Sequence, residues 1–534
     1  MLLHRFCLSV LCFSIFISGI AQQATKKYKA VGDVKVADDF FRNKNFNLAL
    51  EEYLLLIKKE PDSEKYNYRL GVCYLNTAID KKEAVKYFEK IKDNSTEVEL
   101  KYLLGRAYSY SYRFDDAIKM FNSYKKEGKG AANNLQDIDK QVQYAMNAKE
   151  IMKFPLNISF ENLGKNINSE YPDYFPFIPS DESFLIYNSK RPESASTQRS
   201  DGSWRANIYF SKAKDGDYIK SKPLGRVINS IGGDEEAVGL SANGEYLLLY
   251  FDNLEGSGDI YISKSDKNQN FKEPMIFADQ INSLKGQEIS ASITSDANTV
   301  YFASNRAGGF GGSDLYVCRR LPNGKWSPAL NLGKGVNTDM NEDFPTISPD
   351  GTTLYFSSTG HTSMGGYDIF ISKWSDTLQQ FGDAKNIGYP LNTSQDDMNF
   401  RVSATGKYGY ISARKPDGFG DMDIYRVDFL DVEPEYTVIT GRVKSMDMTK
   451  PADSLHAAIS VVDNKTGEEF GSYLPNPYSG RYVVILPPGK FTINATVASF
   501  IPYKEAITIL GKNSYKPLME KDIFVSPDPA GSSK

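Results

Sequence analysis

The sequence predicts a multidomain α + β protein. Tetratricopeptide (TPR) helical hairpins span 28–152, a five-bladed β-propeller 155–430 and a C-terminal β-sandwich 436–526. Three observations predict it. One strand pattern recurs five times between Tyr171 and Val427, anchored at Asn207-Ile208-Tyr209, Asp259-Ile260-Tyr261, Asp314-Leu315-Tyr316, Asp368-Ile369-Phe370 and Asp423-Ile424-Tyr425. The anchors lie 52, 55, 54 and 55 residues apart, and a period near 50 with several short strands per unit is the signature of propeller blades. Ahead of them runs a Leu-Gly-x-x-Tyr…Ala-x-x-x-Phe helical repeat; after Tyr436 the pattern changes to short alternating strands.

Residues 1–21 read as a secretory signal. His4 and Arg5 precede the apolar stretch Phe6–Ile17, and Gly19-Ile20-Ala21 is a small-x-small cleavage site. A lipobox at Cys7 or Cys12 is not expected, since Leu11 precedes Cys12 where a small residue is wanted. No later segment holds the ~20 apolar residues a membrane span needs. Of four cysteines only Cys73 and Cys318 outlast cleavage. Buried free thiols are the plain expectation and an interdomain disulfide the alternative.

Leu70-Gly71, Tyr74, Ala84 and Phe88 form one helical repeat, and Leu104-Gly105, Tyr108, Ala117 and Phe121 the next. A weaker first copy uses Ala37, Phe40, Ala49, Tyr53 and Pro61. Small residues let paired helices approach while aromatics fill the gap to the next pair. An amphipathic helix over 131–152 is expected to cap the stack. Repeat register points Asp38, Arg42, Tyr68, Tyr102, Arg106 and Tyr110 into the concave groove. Tyr and Arg there suit a peptide or helix, while a solvated face is the alternative.

A linker precedes each blade: Ile167-Asn168-Ser169, Ile228-Asn229-Ser230, Ile281-Asn282-Ser283, Val336-Asn337-Thr338 and Leu391-Asn392-Thr393. The strand at 156–160 has no blade before it and is expected to complete the fifth, joining the ring's ends and removing free sheet edges. Ser241–Gly244 and Ser348–Gly351 carry Asn-Gly and Asp-Gly turn signals. Ala307–Gly312 reads as a loop, not a phosphate cradle, because no helix start follows. Five residues past each linker Asn stand Asp173, Asp234, Gln287, Glu342 and Asp397. They either ring one mouth of the axial channel, where a cation or basic peptide would bind, or cap backbone N–H groups. In the last domain, Gly480-x-Tyr482 to Leu486-Pro487-Pro488-Gly489-x-Phe491 is expected to form an antiparallel hairpin. Residues 527–534 form a Pro/Gly/Ser tail.

Formal charge of −4 with pI about 5.7 makes no electrostatic case for nucleic acid. The mature chain holds only His361 and His456, and lacks Gly-x-Ser-x-Gly and His-Glu-x-x-His motifs. No catalytic residue, metal or cofactor is therefore expected. A propeller glycosidase or lyase is the enzymatic alternative, and glycan binding through Trp204, Trp326 and Trp374 the third class.

In domain order the chain resembles the PorE-like envelope proteins of Bacteroidota, which join TPR, WD40-like (PD40) propeller and carboxypeptidase regulatory-like domains. The Leu-Gly-x-x-Tyr repeats, the Asp-Ile-Tyr anchors and the Leu-Pro-Pro-Gly segment carry the likeness. Members commonly add an OmpA-like domain and a lipid anchor. The chain stops soon after the sandwich and has no convincing lipobox, so neither peptidoglycan binding nor lipid anchoring carries over. The resemblance implies a non-catalytic periplasmic adaptor bound to the outer membrane through partners. Those partners would be outer-membrane or periplasmic proteins of type IX secretion, barrel assembly or a related export complex.

Overall fold

The computed structural model describes residues 28–77, 80–127, 135–192, 198–214, 216–230, 234–252, 258–266, 268–294, 296–349, 351–404, 406–431, 436–447, 456–476, 480–510, 516 and 518–528. The expected signal peptide lies outside these residues, as do 131–134 of the capping helix, Asp350 of one turn and most of the tail. Among the described residues the chain is mostly β, in antiparallel sheets, with seven α-helices at its N-terminal end.

The helices are α1 Val34–Arg42, α2 Phe46–Lys59, α3 Glu64–Asn76, α4 Ala84–Ile91, α5 Leu100–Tyr110, α6 Phe114–Glu127 and α7 Leu135–Ile151. Asp33, Asn45 and Ser63 accept the backbone N–H three residues on, satisfying donors that a helix start leaves open. Within hairpins, Gly71 and Gly105 meet the rings of Phe88 and Phe121. A Cβ added at either glycine would lie 2.3 and 2.6 Å from those rings. Ala37, Ala49, Ala84 and Ala117 are wholly buried in the same core, so the small residues of the repeat set how closely its helices pack.

Five sheets follow, with strands at successive positions joined antiparallel. The first holds Asp173–Phe177, Phe184–Ser189, Asn207–Lys214 and Lys222–Pro223; the second Glu235–Leu240, Tyr246–Asp252, Gly258–Lys264 and Met275–Ile276. The third holds Glu288–Ile293, Thr299–Ser304, Asp314–Arg319 and Leu330–Asn331; the fourth Glu342–Ile347, Thr353–Ser358, Asp368–Ser375 and Lys385–Asn386. The fifth has Arg401–Val402, Tyr408–Ala413 and Asp423–Phe429 from its own repeat. Its outermost strand, Ile158–Asn162, comes from before the first sheet and pairs Ile158 with Phe429 through Asn162 with Tyr425.

Apolar clusters fill every junction between neighbouring sheets. Phe184 and Ile186 pack with Leu247 and Leu249; Leu248 and Ile260 with Val300 and Phe302. Tyr301 and Leu315 pack with Leu354 and Phe356; Ile369 with Ile411 and Tyr425. Ile424 of the fifth sheet then packs with Leu185 and Tyr187 of the first, so the sheets meet in a closed cycle. One sheet alone would leave such a face wet, so closure is where the burial accrues.

After Tyr436 come two sheets sharing one core that includes Ile439, Val484, Phe491, Ile493 and Ile523. One orders Arg481–Leu486, Thr437–Ser445 and the parallel strands Leu518–Glu520 and Ile523–Val525. The other orders Glu469–Tyr473, Ala457–Asp463, Gly489–Val497 and Tyr503–Ile509. This corrects the hairpin expected at Leu486-Pro487-Pro488-Gly489. Arg481–Leu486 pairs with Thr437–Arg442, and Gly489–Val497 with Ala457–Asp463, in the opposite sheet. Pro487 and Pro488 lack the N–H groups a ladder needs, so they carry the chain across the core instead of turning it back.

Candidate functional site

Three of the five residues expected around the channel hold the linker that precedes their own sheet. Asp173 accepts from Ser169 N–H and Oγ, Glu342 from Thr338 N–H and Oγ1, and Asp397 from Thr393 N–H and Oγ1, at 2.6 to 2.9 Å. In the second and third sheets the same bonds fall one residue later. Glu235 takes them from Ser230 and Glu288 takes the Ser283 N–H, while Asp234 binds Arg199 and Ala206 N–H, and Gln287 N–H donates to Asn305. The longer glutamate side chain reaches back across the added residue. Arg191 and Arg306 pair with Asp173 and Glu288, at 2.8 and 3.1 Å, and also close the carbonyls of Ile167 and Ile281. His361 Nε2 meets the Val336 carbonyl in the corresponding place. Burial pushes the Asp173, Glu235 and Glu342 carboxyls above their usual range, and that of Asp397 up to about 7.

The linker asparagines and the anchors are one device, which the sequence spacing did not reveal. Each linker amide oxygen accepts the N–H of the middle anchor residue and each amide nitrogen donates to that residue's carbonyl. The pairs are Asn168 with Ile424, Asn229 with Ile208, Asn282 with Ile260, Asn337 with Leu315 and Asn392 with Ile369. In three sheets a second asparagine on the outer strand (Asn162, Asn331 or Asn386) joins that amide to the anchor Asp423, Asp314 or Asp368. The signal was in the sequence as Asn-Leu/Ile-Gly at 162–164, 331–333 and 386–388. The glycine-rich loop also turns inward: Phe310 and Gly311 N–H groups donate to Asp314, filling the nest with the protein's own carboxylate.

The groove residues divide. Asp38 accepts from Tyr53 Oη and Lys65 Nζ at 2.5 and 2.6 Å, Arg42 pairs with Asp39 on the surface, and Tyr68 lies against Phe88. Tyr102 donates to Asp137 of α7, and Arg106 to Tyr110 Oη at 3.0 Å. Arg106 and Tyr110 then line a cleft of about 100 Å³ whose far wall is Met364, Gly365 and Asp396, from loops of the sheets. Tyr144 Oη and Asn147 Nδ2 of α7 donate to the Thr359 and Ser363 carbonyls, and Met364 is buried with Phe114, Ala145 and Ala148. The C-terminal half of the groove therefore faces the protein's own sheets. Burial and the nearby Arg414 and Arg106 guanidiniums push Lys81 down to about 8 at this junction.

The turns at the opposite end of the sheets meet the C-terminal domain. Arg481 pairs with Asp181, and Ala404 packs with Val438 and Ile485. Between these parts lie a cavity of about 400 Å³ and an aromatic cleft of about 380 Å³ holding Tyr355, Trp374, Phe429 and Tyr436. Along the axis Phe175 of the first sheet meets Phe344 of the fourth, centroids 4.7 Å apart, both re-aimed by strand irregularities. Trp326 and Trp374 pack on Phe277 and Phe381. Cys73 and Cys318 are buried free thiols. Among the described residues no cluster of His, Cys, Asp and Glu is arranged to hold a metal, and no helix is long and apolar enough to cross a membrane.

No protein-family model and no curated protein matches the sequence. Among solved structures, TolB from Acinetobacter baumannii is similar at 18% identity and TM-score 0.30, over 48% of this chain and 55% of its own length. A putative TolB from Agrobacterium tumefaciens matches over 62% of this chain and 97% of its own, at 14% identity and TM-score 0.30. The catalytic domain of a Coprinopsis cinerea GH62 α-L-arabinofuranosidase matches over 52% and 99%, at 10% identity and TM-score 0.35. The chain spans about half the length of the first of these. Likenesses this distant bear on neither activity nor partners.

Proposed function

We propose that the protein is a non-catalytic periplasmic adaptor of an outer-membrane protein machine, in type IX secretion, barrel assembly or a related export complex. The five sheets are the blades of a five-bladed propeller, the helices a TPR arm and the last domain a β-sandwich. The observation that carries this is how the acids of the ring are used. Carboxylates that begin the sheets are buried on linker hydroxyls and backbone N–H groups, and an aromatic pair meets across the axis. A propeller hydrolase needs two carboxyls free to face a substrate across an open site. Here the repeated acids hold the backbone, and the helical arm and the sandwich each dock on one end of the ring. What is offered outward is broad surface, which suits protein partners.

A glycan-binding alternative is supported by the cleft holding Tyr355, Trp374 and Tyr436, where sugar rings could stack. The deciding experiment sets the purified protein against a glycan array and a panel of aryl-glycosides, with cross-linking to envelope proteins run in parallel. Cross-links from arm or ring to one outer-membrane protein, with silent glycan assays, are expected. Turnover of a glycoside that survives repurification would overturn the adaptor assignment.

A further inference from the structure

At the sandwich end of the ring, the innermost strands of all five sheets surround a small axial pocket of about 50 Å³. One wall is Arg401, which is 6% exposed. Its Nη1 donates to Thr346 Oγ1 at 2.5 Å, its Nη2 to Asn399 Oδ1 at 2.6 Å, and its guanidinium lies 4.4 Å from the Phe177 ring centroid. Among the described residues no carboxylate pairs with it, and its Nε–H has no acceptor. The Asn399 amide, wholly buried, must turn its oxygen to the arginine, which leaves its Nδ2 without a partner as well. Two orphaned donors and an uncompensated cation thus stand two residues apart on one strand segment. Arg191 and Arg306, by contrast, each have an acid, Asp173 and Glu288. A buried cation without a counter-charge is strongly unfavourable, so the site is complete only with an anion in it.

We propose that this pocket seats a ligand carboxylate, held by Arg401. A guanidinium is a planar fork of N–H donors that suits carboxylate oxygens. The pocket's size admits the carboxylate head and little else. Ser180, Ala242 and Pro349 line both this pocket and the 400 Å³ cavity under the sandwich, so the rest of the ligand extends there. Burial lowers the Arg401 pKa to about 9, in keeping with a cation that lacks its partner. The carboxylate could belong to a small free acid or to the C-terminus of a peptide chain.

The test is calorimetric titration of the full chain with acetate, with Ala-Ala-Ala free acid and with its C-terminal amide, at constant ionic strength. Saturable acetate binding is expected, weakened at least tenfold in Arg401→Gln. Ser180→Trp, which blocks the mouth without touching the guanidinium, should abolish binding and keeps the test valid where Arg401→Gln fails to fold. Tighter binding of the peptide acid than of acetate, with none of the amide, identifies a chain terminus; acetate binding alone identifies a small free acid. No saturable binding of either acid, or binding unchanged in Ser180→Trp, overturns the proposal.

Discussion

Replacing Asn337 by alanine tests whether the linker asparagines hold the ring together. Asn337 accepts the Leu315 N–H at 2.8 Å and donates to the Leu315 carbonyl and Asn331 Oδ1, both at 2.9 Å. The two acceptors keep other partners, since Leu332 N–H still reaches the carbonyl and Gly333 N–H still reaches Asn331. The Leu315 N–H keeps none and becomes a buried orphan, costing about 1–3 kcal/mol, with about 0.5–1.5 kcal/mol for each other bond lost. The expected loss is about 2–6 kcal/mol. All three tryptophans (204, 326 and 374) lie in the region of the five sheets, so fluorescence during guanidinium unfolding follows the ring and not the helices or the C-terminal domain. Asn337→Asp keeps the acceptor but sets oxygen against two oxygens. Its folded pKa would be raised, so the defect should ease below about pH 4, where the acid form can donate again. The exposed Asn323→Ala is the control. A loss in Asn337→Ala of under about 0.5 kcal/mol, equal to the control, would refute the clamp.

Other consequences are as direct. Gly71→Ala puts a methyl into the Phe88 ring and should cost about 1–3 kcal/mol, read from the helical circular-dichroism melt; Phe88→Leu in the same chain should recover part of it. Burial raises Asp343 to about 6 and Asp397 to about 7. A raised carboxyl binds more protons folded than unfolded, so ring stability should be greatest below about pH 4 as far as these groups decide it. It should fall as pH rises through about 6 to 7, and Asp343→Asn should flatten that fall; a ring melting temperature that climbs across this window would contradict the assignment. Arg481→Ala leaves the nearly buried Asp181 without its cation and should loosen the C-terminal domain, seen as a larger radius of gyration in small-angle scattering with an unchanged tryptophan signal.

The repeat was legible because it recurs. Anchors, linkers and the extra strand before the first sheet come from period alone, and the observed strand 158–162 lies two residues from the expected 156–160. What period could not give is why the residues repeat. Counting a fixed five residues past each linker found Asp173, Glu342 and Asp397, but missed Glu235 and Glu288, because an added residue and a longer side chain cancel in space and not in sequence. The groove failed differently. Register placed Arg106 and Tyr110 on the concave face, but a repeat pattern holds no information on what a distant loop such as Met364–Gly366 will lay against it. The Pro487-Pro488 segment misled because strand–turn–strand is the same pattern whether the second strand returns to its sheet or crosses to the other. Arg401 gave no sign at all: it is unusual only through the partners it lacks.

The measurement closest to the adaptor claim is native mass spectrometry of the C-terminally tagged protein, purified from its own envelope in mild detergent. A complex holding an outer-membrane barrel or secretion component in fixed stoichiometry is the predicted result. A bare monomer from the soluble periplasmic fraction would contradict it.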